Sequence, residues 1–200
     1  MTDDETIGVY AARVAEYAAL TGQVDAAPFD AFVARLPSAG RVLDWGCGPG
    51  HDAARLAALG FEPDPVDATP AMVAHAVAGH GLPARVATFD ELDAVGAYDG
   101  VWANFSLLHA GRDDAARHVR AARRALRDGG AFYLSVKVGR GEGRDGLGRR
   151  YTYFGEAELT ALLEAAGFRI EATFGGVSTG LDGVRATWTG RLAGAPPPGG

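Results

Sequence analysis

Apolar and polar positions follow two different periods along this chain. Ile7, Tyr10, Ala11, Val14, Tyr17 and Ala18 recur at helical spacing and predict one amphipathic helix over 6–20. Phe29, Phe32, Val33 and Leu36 predict a second helix, closed by Pro37 and Gly40. Short apolar runs then alternate with helical segments. Strands are expected at 41–45, 61–67, 84–88, 98–104 and 130–138, and helices at 49–59, 70–78, 113–126 and 156–166. Such alternation predicts βαβ units, a parallel sheet and right-handed crossovers. The end of the chain breaks the pattern. Strand-like runs at 168–177 and 184–192 are separated only by 178–183, too short for a helix, so they should form an antiparallel hairpin. The expectation is an α/β chain whose seven-stranded sheet is mostly parallel and ends in that hairpin.

The bulk numbers narrow this further. The 200 residues suit one domain with one core, expected to span 1–194, and include a helical cap at 6–37. The segment 195–200, Ala-Pro-Pro-Pro-Gly-Gly, reads as a disordered tail. A net charge of −6 argues against a large nucleic-acid footprint. No secretory or membrane-spanning run is present, so a cytoplasmic protein without a membrane partner is expected. The single cysteine, Cys47, allows no internal disulfide, and its place inside a glycine turn suggests packing. No metal site is expected, and the oligomeric state is left open.

The chemistry concentrates at Val42-Leu43-Asp44-Trp45-Gly46-Cys47-Gly48-Pro49-Gly50-His51-Asp52. An apolar strand ends at an acid, and a tight glycine turn leads into a helix. Gly46 and Gly48 carry no Cβ, so a ligand can approach the backbone. Asp44 places negative charge at the strand end, which suits a nucleoside ligand that also carries positive charge. Dinucleotide binding requires a third glycine at residue 51, where this chain has His51. A phosphate loop requires Gly-Lys-Ser/Thr, which does not follow. The second strand ends at Asp67, 23 residues beyond Asp44, where a carboxylate can grip a ribose diol.

The pattern Asp-x-Gly-x-Gly-x-Gly resembles motif I of the class I S-adenosylmethionine (SAM) dependent methyltransferases. The likeness runs from about Tyr10 to Leu192. It implies a Rossmann-like three-layer sandwich with strand order 3-2-1-4-5-7-6, and SAM as cofactor. It also implies cofactor contacts at Asp44, Gly46, Cys47, Gly48, Asp67 and Ala68. Phe89 and Asp90 resemble the adenine-end motif, although Phe89 also suits the core and Asp90 a helix cap. Met72 is a candidate for the second adenine face or for the core. Asn104, in the segment resembling motif IV, is the candidate facing the methionine part. Tyr10 and Tyr17 lie two turns apart on one helix face, and related enzymes close such tyrosines over the cofactor.

No catalytic triad is found, and in-line methyl transfer requires none. His109 is either a substrate contact or a helix-capping or loop-bracing residue. The glycine-rich segment 139–154 reads either as a solvated loop or as a mobile lid carrying Arg149, Tyr151 and Tyr153 to the acceptor. The expected activity is methyl transfer to a small-molecule acceptor, with His109 and Tyr151 as the catalytic candidates. The alternative is a SAM- or nucleoside-binding protein without catalysis. The sequence resembles small bacterial methyltransferases, including tellurite- and thiopurine-resistance types, whose substrates are not carried over.

Overall fold

The computed structural model of the protein describes residues 3–22 and 26–197. Its sheet comprises β1 (Arg41–Trp45), β2 (Glu62–Asp67), β3 (Arg85–Val86), β4 (Tyr98–Asn104), β5 (Leu126–Lys137), β8 (Arg169–Thr179) and β9 (Arg185–Gly194). The order is β3-β2-β1-β4-β5-β9-β8, with β1 to β5 parallel and β9 antiparallel to both β5 and β8. This is the seven-stranded, mostly parallel sheet with a terminal hairpin that the alternation predicts. A separate two-stranded hairpin pairs β6 (Glu142–Arg144) with β7 (Arg150–Thr152).

Both sheet faces are covered, so the central strands are apolar on both sides. Leu43, Val101, Phe132 and Leu134 face one layer with α6 (Arg112–Ala125) and α7 (Glu156–Ala165). Their neighbours Val42, Trp102, Ala131 and Tyr133 face the other, where Phe29 and Phe32 of α3 (Ala26–Val33) and Leu56 of α4 (His51–Ala58) meet them. Trp102 and Tyr133 stack with ring centroids 4.2 Å apart. The helix α5 (Pro70–His80) completes that layer through Ala76 against Ala53 and Leu82.

Two prolines sit in β2 without breaking it. The N–H of Glu62 bonds Gly40 O at 3.0 Å on the β1 side, so Pro63 and Pro65 face the other way. On that side β3 pairs only with Val66 and Asp67, and no donor is missed.

Several expectations need correction. The predicted single helix over 6–20 is two helices, α1 (Asp4–Ala12) and α2 (Val14–Thr21), broken at Arg13. The cause is local: φ −129° and ψ 28° at Arg13 leave the helical region. Pro49 precedes α4 rather than opening it, because Gly50 caps the helix at φ +90°. The strand β5 begins at Leu126, four residues early, since Leu126 already pairs with Tyr98 before a bulge. The ordered chain continues into the segment expected as a disordered tail: Ala195 is fully buried and bonds Gly129 and Gly130, and Arg123 donates to Pro196 O. Residues 198–200 of that expected tail lie outside the described residues. Segment 139–154 is an ordered hairpin, not an open loop. Arg144 pairs with Asp3 at 2.7 Å and the Arg150 N–H donates to Thr6 Oγ1 at 2.8 Å, which docks the hairpin on α1. Among the described residues no helix is long and apolar enough to cross a membrane.

Candidate functional site

The glycine turn after β1 opens into a cleft with two lobes. The smaller, of about 100 Å³, lies toward β2 and β3; the larger, of about 440 Å³, lies toward β5 and the β8–β9 turn. They meet at Tyr10, Tyr17, Gly46, Gly48, Asn104 and Phe105. This is the carboxyl end of the parallel strands, beside the point where strand order reverses about β1, as the open α/β architecture dictates.

The turn is held from two sides. The N–H groups of Gly46 and Cys47 both bond Val66 O at 2.8 Å. Asp67 Oδ2 accepts the Gly48 N–H at 2.9 Å and its Oδ1 accepts the Thr69 N–H at 2.7 Å. Burial raises the Asp67 carboxyl above its usual range, and those two bonds oppose the rise. Asp67, Ala68 and Met72 line the smaller lobe, with Met72 also buried in the core. Phe89 and Asp90 line the same lobe. Phe89 lies edge-on to Trp45 at 5.1 Å. Asp90 is bound by His118 Nε2 at 2.9 Å and by Arg117, and these contacts hold its carboxyl well below the usual range. The carboxylate is thus already anchored on α6.

Asp44 and Cys47 line the larger lobe. Asp44 is 2% exposed, and its Oδ2 finds no hydrogen-bond partner among the described residues. Burial, then the charges of Asp52 and Asp67, push its carboxyl well above the usual range. Burial likewise raises the Cys47 thiol, which keeps it protonated and unreactive. Asn104 is braced: its Nδ2 donates to Asp52 Oδ2 at 3.3 Å and its Oδ1 accepts from Ser135 Oγ at 2.8 Å.

Asp52 is the residue sequence reasoning missed. An acid in the first turn of a helix reads as a dipole partner. Here it also accepts Trp102 Nε1 at 2.8 Å and lines the larger lobe beside Asp44. Its position eight residues after Asp44, across the turn, was the available signal. His51, the residue in the third-glycine place, donates from Nε2 to Ala18 O at 2.9 Å and ties α4 to α2.

Tyr10, Arg149, His109 and β7 form one polar chain. Arg149 donates to Tyr10 Oη at 3.0 Å, and the Tyr10 hydroxyl meets His109 Nε2 at 2.9 Å. Nδ1 of His109 lies 2.6 Å from Arg150 O, a carbonyl that can only accept. That contact assigns the ring proton to Nδ1 and makes Nε2 the acceptor. Burial pushes the His109 imidazole down to about 4, so it is neutral near pH 7. Both its nitrogens are engaged, which ties α1 to β7, and the residue also lines the smaller lobe. Tyr17 meets Tyr10 edge-on at 5.0 Å. Arg149 is buried and paired with Asp145 at 2.6 Å, so its charge is already balanced. Tyr151 lines the larger lobe. Tyr153, expected beside the acceptor, lines neither lobe: it covers Gly139, and its ring stacks on Tyr151 at 6.0 Å.

The model of a family described as "Methyltransferase domain" matches residues 20–173. The chain belongs to that family. A curated Mycolicibacterium smegmatis relative named "probable S-adenosylmethionine-dependent methyltransferase" is 36% identical over 143 residues, 68% of this chain. The chain spans about half the length of that relative, 55%. Among solved structures, it is similar to the Burkholderia thailandensis 1,6-didemethyltoxoflavin-N1-methyltransferase, bound to 1,6-didemethyltoxoflavin and S-adenosylhomocysteine. The TM-score is 0.70 at 26% identity, over 86% of this chain and 77% of that one. A SAM-dependent methyltransferase from Methanosarcina mazei shares the fold with TM-score 0.72 at 18% identity, over 82% and 96%.

The methyltransferase family's donor is SAM, and the residues present fit it. A cationic group is what the buried Asp44 carboxylate, with one oxygen unpartnered and Asp52 beside it, lacks. The glycine turn leaves the backbone open next to both acids. The unliganded protein should therefore be strained by Asp44. With its pKa raised on folding, Asp44 favours the folded state only while protonated, and that advantage is lost as pH rises above 3.8, the ordinary value. Asp44→Asn should raise Tm of the free protein at pH 7 by about 2–4 °C and weaken SAM binding at least about tenfold. The Tm gap should shrink as pH falls toward 3.8. Thermal scans at two pH values with calorimetric titration check both signs.

Proposed function

We propose that the chain transfers a methyl group from SAM to a small-molecule acceptor held in the larger lobe. One observation carries this reading: that lobe is walled on one side by Tyr10, Tyr17 and Leu20 of the helical cap and on the other by the β8–β9 turn. A cleft of about 440 Å³ walled in this way has the size of a pocket for a drug-sized molecule. The Burkholderia neighbour, which binds 1,6-didemethyltoxoflavin together with S-adenosylhomocysteine, supports it.

The chain's contribution is placement. When bound, SAM supplies an electrophilic methyl on a sulfonium whose sulfur leaves neutral and needs no proton. Asp67, with a lone pair to spare on each oxygen, would accept from ribose hydroxyls. Phe89 and Met72 would flank the adenine. Asp44 and Asp52 would set negative charge near the cationic portion, and Asn104, locked by Ser135, would present a fixed polar edge. Orientation of this kind supplies up to about 7–11 kcal/mol in model reactions.

Calorimetric titration with SAM, S-adenosylhomocysteine and NAD tests the donor assignment. Micromolar binding of the two sulfur nucleosides with no NAD signal is expected. Failure of both to bind would remove the reading. An acceptor screen followed by S-adenosylhomocysteine release then separates an enzyme from a mere binding protein.

A further inference from the structure

The larger lobe is polarised. Asp44 and Asp52 stand at its glycine-turn end, and Lys137 and Arg149 at the other. Arg149 is neutralised by Asp145. Lys137 is the only lysine of the chain. It ends β5, and its Nζ lies 4.0 Å above the Tyr151 ring, with no hydrogen bond or ion pair among the described residues. The groups around it are Arg149 and Asp145 of the β6–β7 hairpin, Tyr151 of β7, and Asp182 in the β8–β9 turn. Asp182 is turned to its own loop, where its Oδ1 accepts the Val184 N–H at 3.1 Å. Burial lowers the Lys137 ammonium below its ordinary range, and the charges of Asp182 and Asp145 offset that lowering only in part.

The walls next to Lys137 are aromatic. Phe105 adopts φ +52°, an uncommon conformation for a residue with a side chain. Its N–H is held by Ser135 Oγ at 2.9 Å, and its ring meets Trp188 edge-on at 5.6 Å. Trp188 is the β9 residue in register with Lys137. A fixed, costly backbone thus sets two aromatic rings beside a cation whose nearest contact is the face of the Tyr151 ring.

We infer that the acceptor is a flat, weakly acidic aromatic, a phenol or a heteroaromatic N–H compound, bound as its anion against Lys137 between these rings. The inference rests on the methyltransferase reading and adds the acceptor's chemical class. The acceptor's proton leaves to water on binding. The anion's lone pair then forms the bond to the methyl carbon as the carbon–sulfur bond breaks, and that bond's electron pair stays on sulfur. Anion and sulfonium thereby cancel, and Lys137 needs to take no proton.

The test uses 4-nitrophenol, whose anion absorbs visibly, with the full chain saturated in S-adenosylhomocysteine. The bound probe should ionise about one pH unit lower than the free one, because a cation lies beside it. Lys137→Gln should abolish that shift and weaken nitrophenolate binding at least about tenfold. Lys137→Arg should keep most of both. The neutral 4-nitroanisole should bind all three proteins alike. S-Adenosylhomocysteine affinity and Tm are measured in each as the control for folding. If S-adenosylhomocysteine binds while nitrophenol fails to bind, or ionises as in free solution, the anionic acceptor is refuted and the methyltransferase reading stands. Survival of the shift in Lys137→Gln refutes the anionic acceptor equally. If the wild-type protein does not bind S-adenosylhomocysteine, the donor reading falls and takes this inference with it.

Discussion

Gly46→Ala should lower Tm by roughly 10 °C and abolish measurable SAM binding, because two separate penalties fall on one atom. Gly46 sits at φ +86°, where an added Cβ costs about 1–2 kcal/mol. That Cβ would also lie 2.3 Å from Ser106 Cβ. Ser106 is buried and its Oγ donates to Trp45 O at 2.6 Å, so the serine cannot withdraw without breaking the contact that fixes the turn. Overpacking of this kind costs a further 1–3 kcal/mol, roughly. Gly60 supplies the comparison. It has nearly the same φ, +87°, but an added Cβ there meets nothing within 4 Å. Gly60→Ala should therefore lose only the conformational part and bind SAM normally. Equal losses in the two variants would mean that backbone strain, not the approach of Ser106, dictates glycine at 46.

Asp67→Ala should weaken SAM and S-adenosylhomocysteine binding at least about tenfold, and it should also destabilise the free protein. The second effect follows from geometry. Both carboxylate oxygens already accept backbone N–H groups, from Gly48 and Thr69. Removing the acceptor leaves two partly buried donors unpaired, at about 1–3 kcal/mol each. Asp67→Asn keeps one accepting oxygen and should fall between wild type and Asp67→Ala in Tm. A folded Asp67→Ala protein with unchanged affinity would show that the ribose hydroxyls bind elsewhere.

These two residues are visible in the sequence because their signals are local. A strand, an acid and a glycine turn occupy a few consecutive positions, and the second acid recurs one βαβ unit later. The sheet is equally legible, since strand and helix periods switch sharply and the hairpin at 168–192 leaves no room for a helix. What escapes depends on partners that the local pattern does not name, most of them far along the chain. Asp52 acquires its role from Trp102 and Asn104, fifty residues on. The hairpin at 142–152 reads as loop because its glycines and charges alternate without an apolar face. Its order comes from Asp3 and Thr6, at the other end of the chain. Arg149 reads as a free cation in the sequence; Asp145, four residues away, claims it. Tyr153 is expected at the acceptor with Tyr151, but β7 ends at Thr152 and the ring packs over Gly139 and against the Tyr151 ring.

Cys47, described above only as a packed and unreactive thiol, gives the chain a built-in clock. It is the single sulfhydryl in 200 residues, and it sits in the floor of the larger lobe. A thiol reagent reaches it through the cleft, so the rate of modification reports how accessible that floor is, and nothing else in the chain dilutes the signal. Ligands that cover the floor of the lobe should slow that clock in proportion to their occupancy, which turns a single residue into a gauge of how often the cleft stands filled.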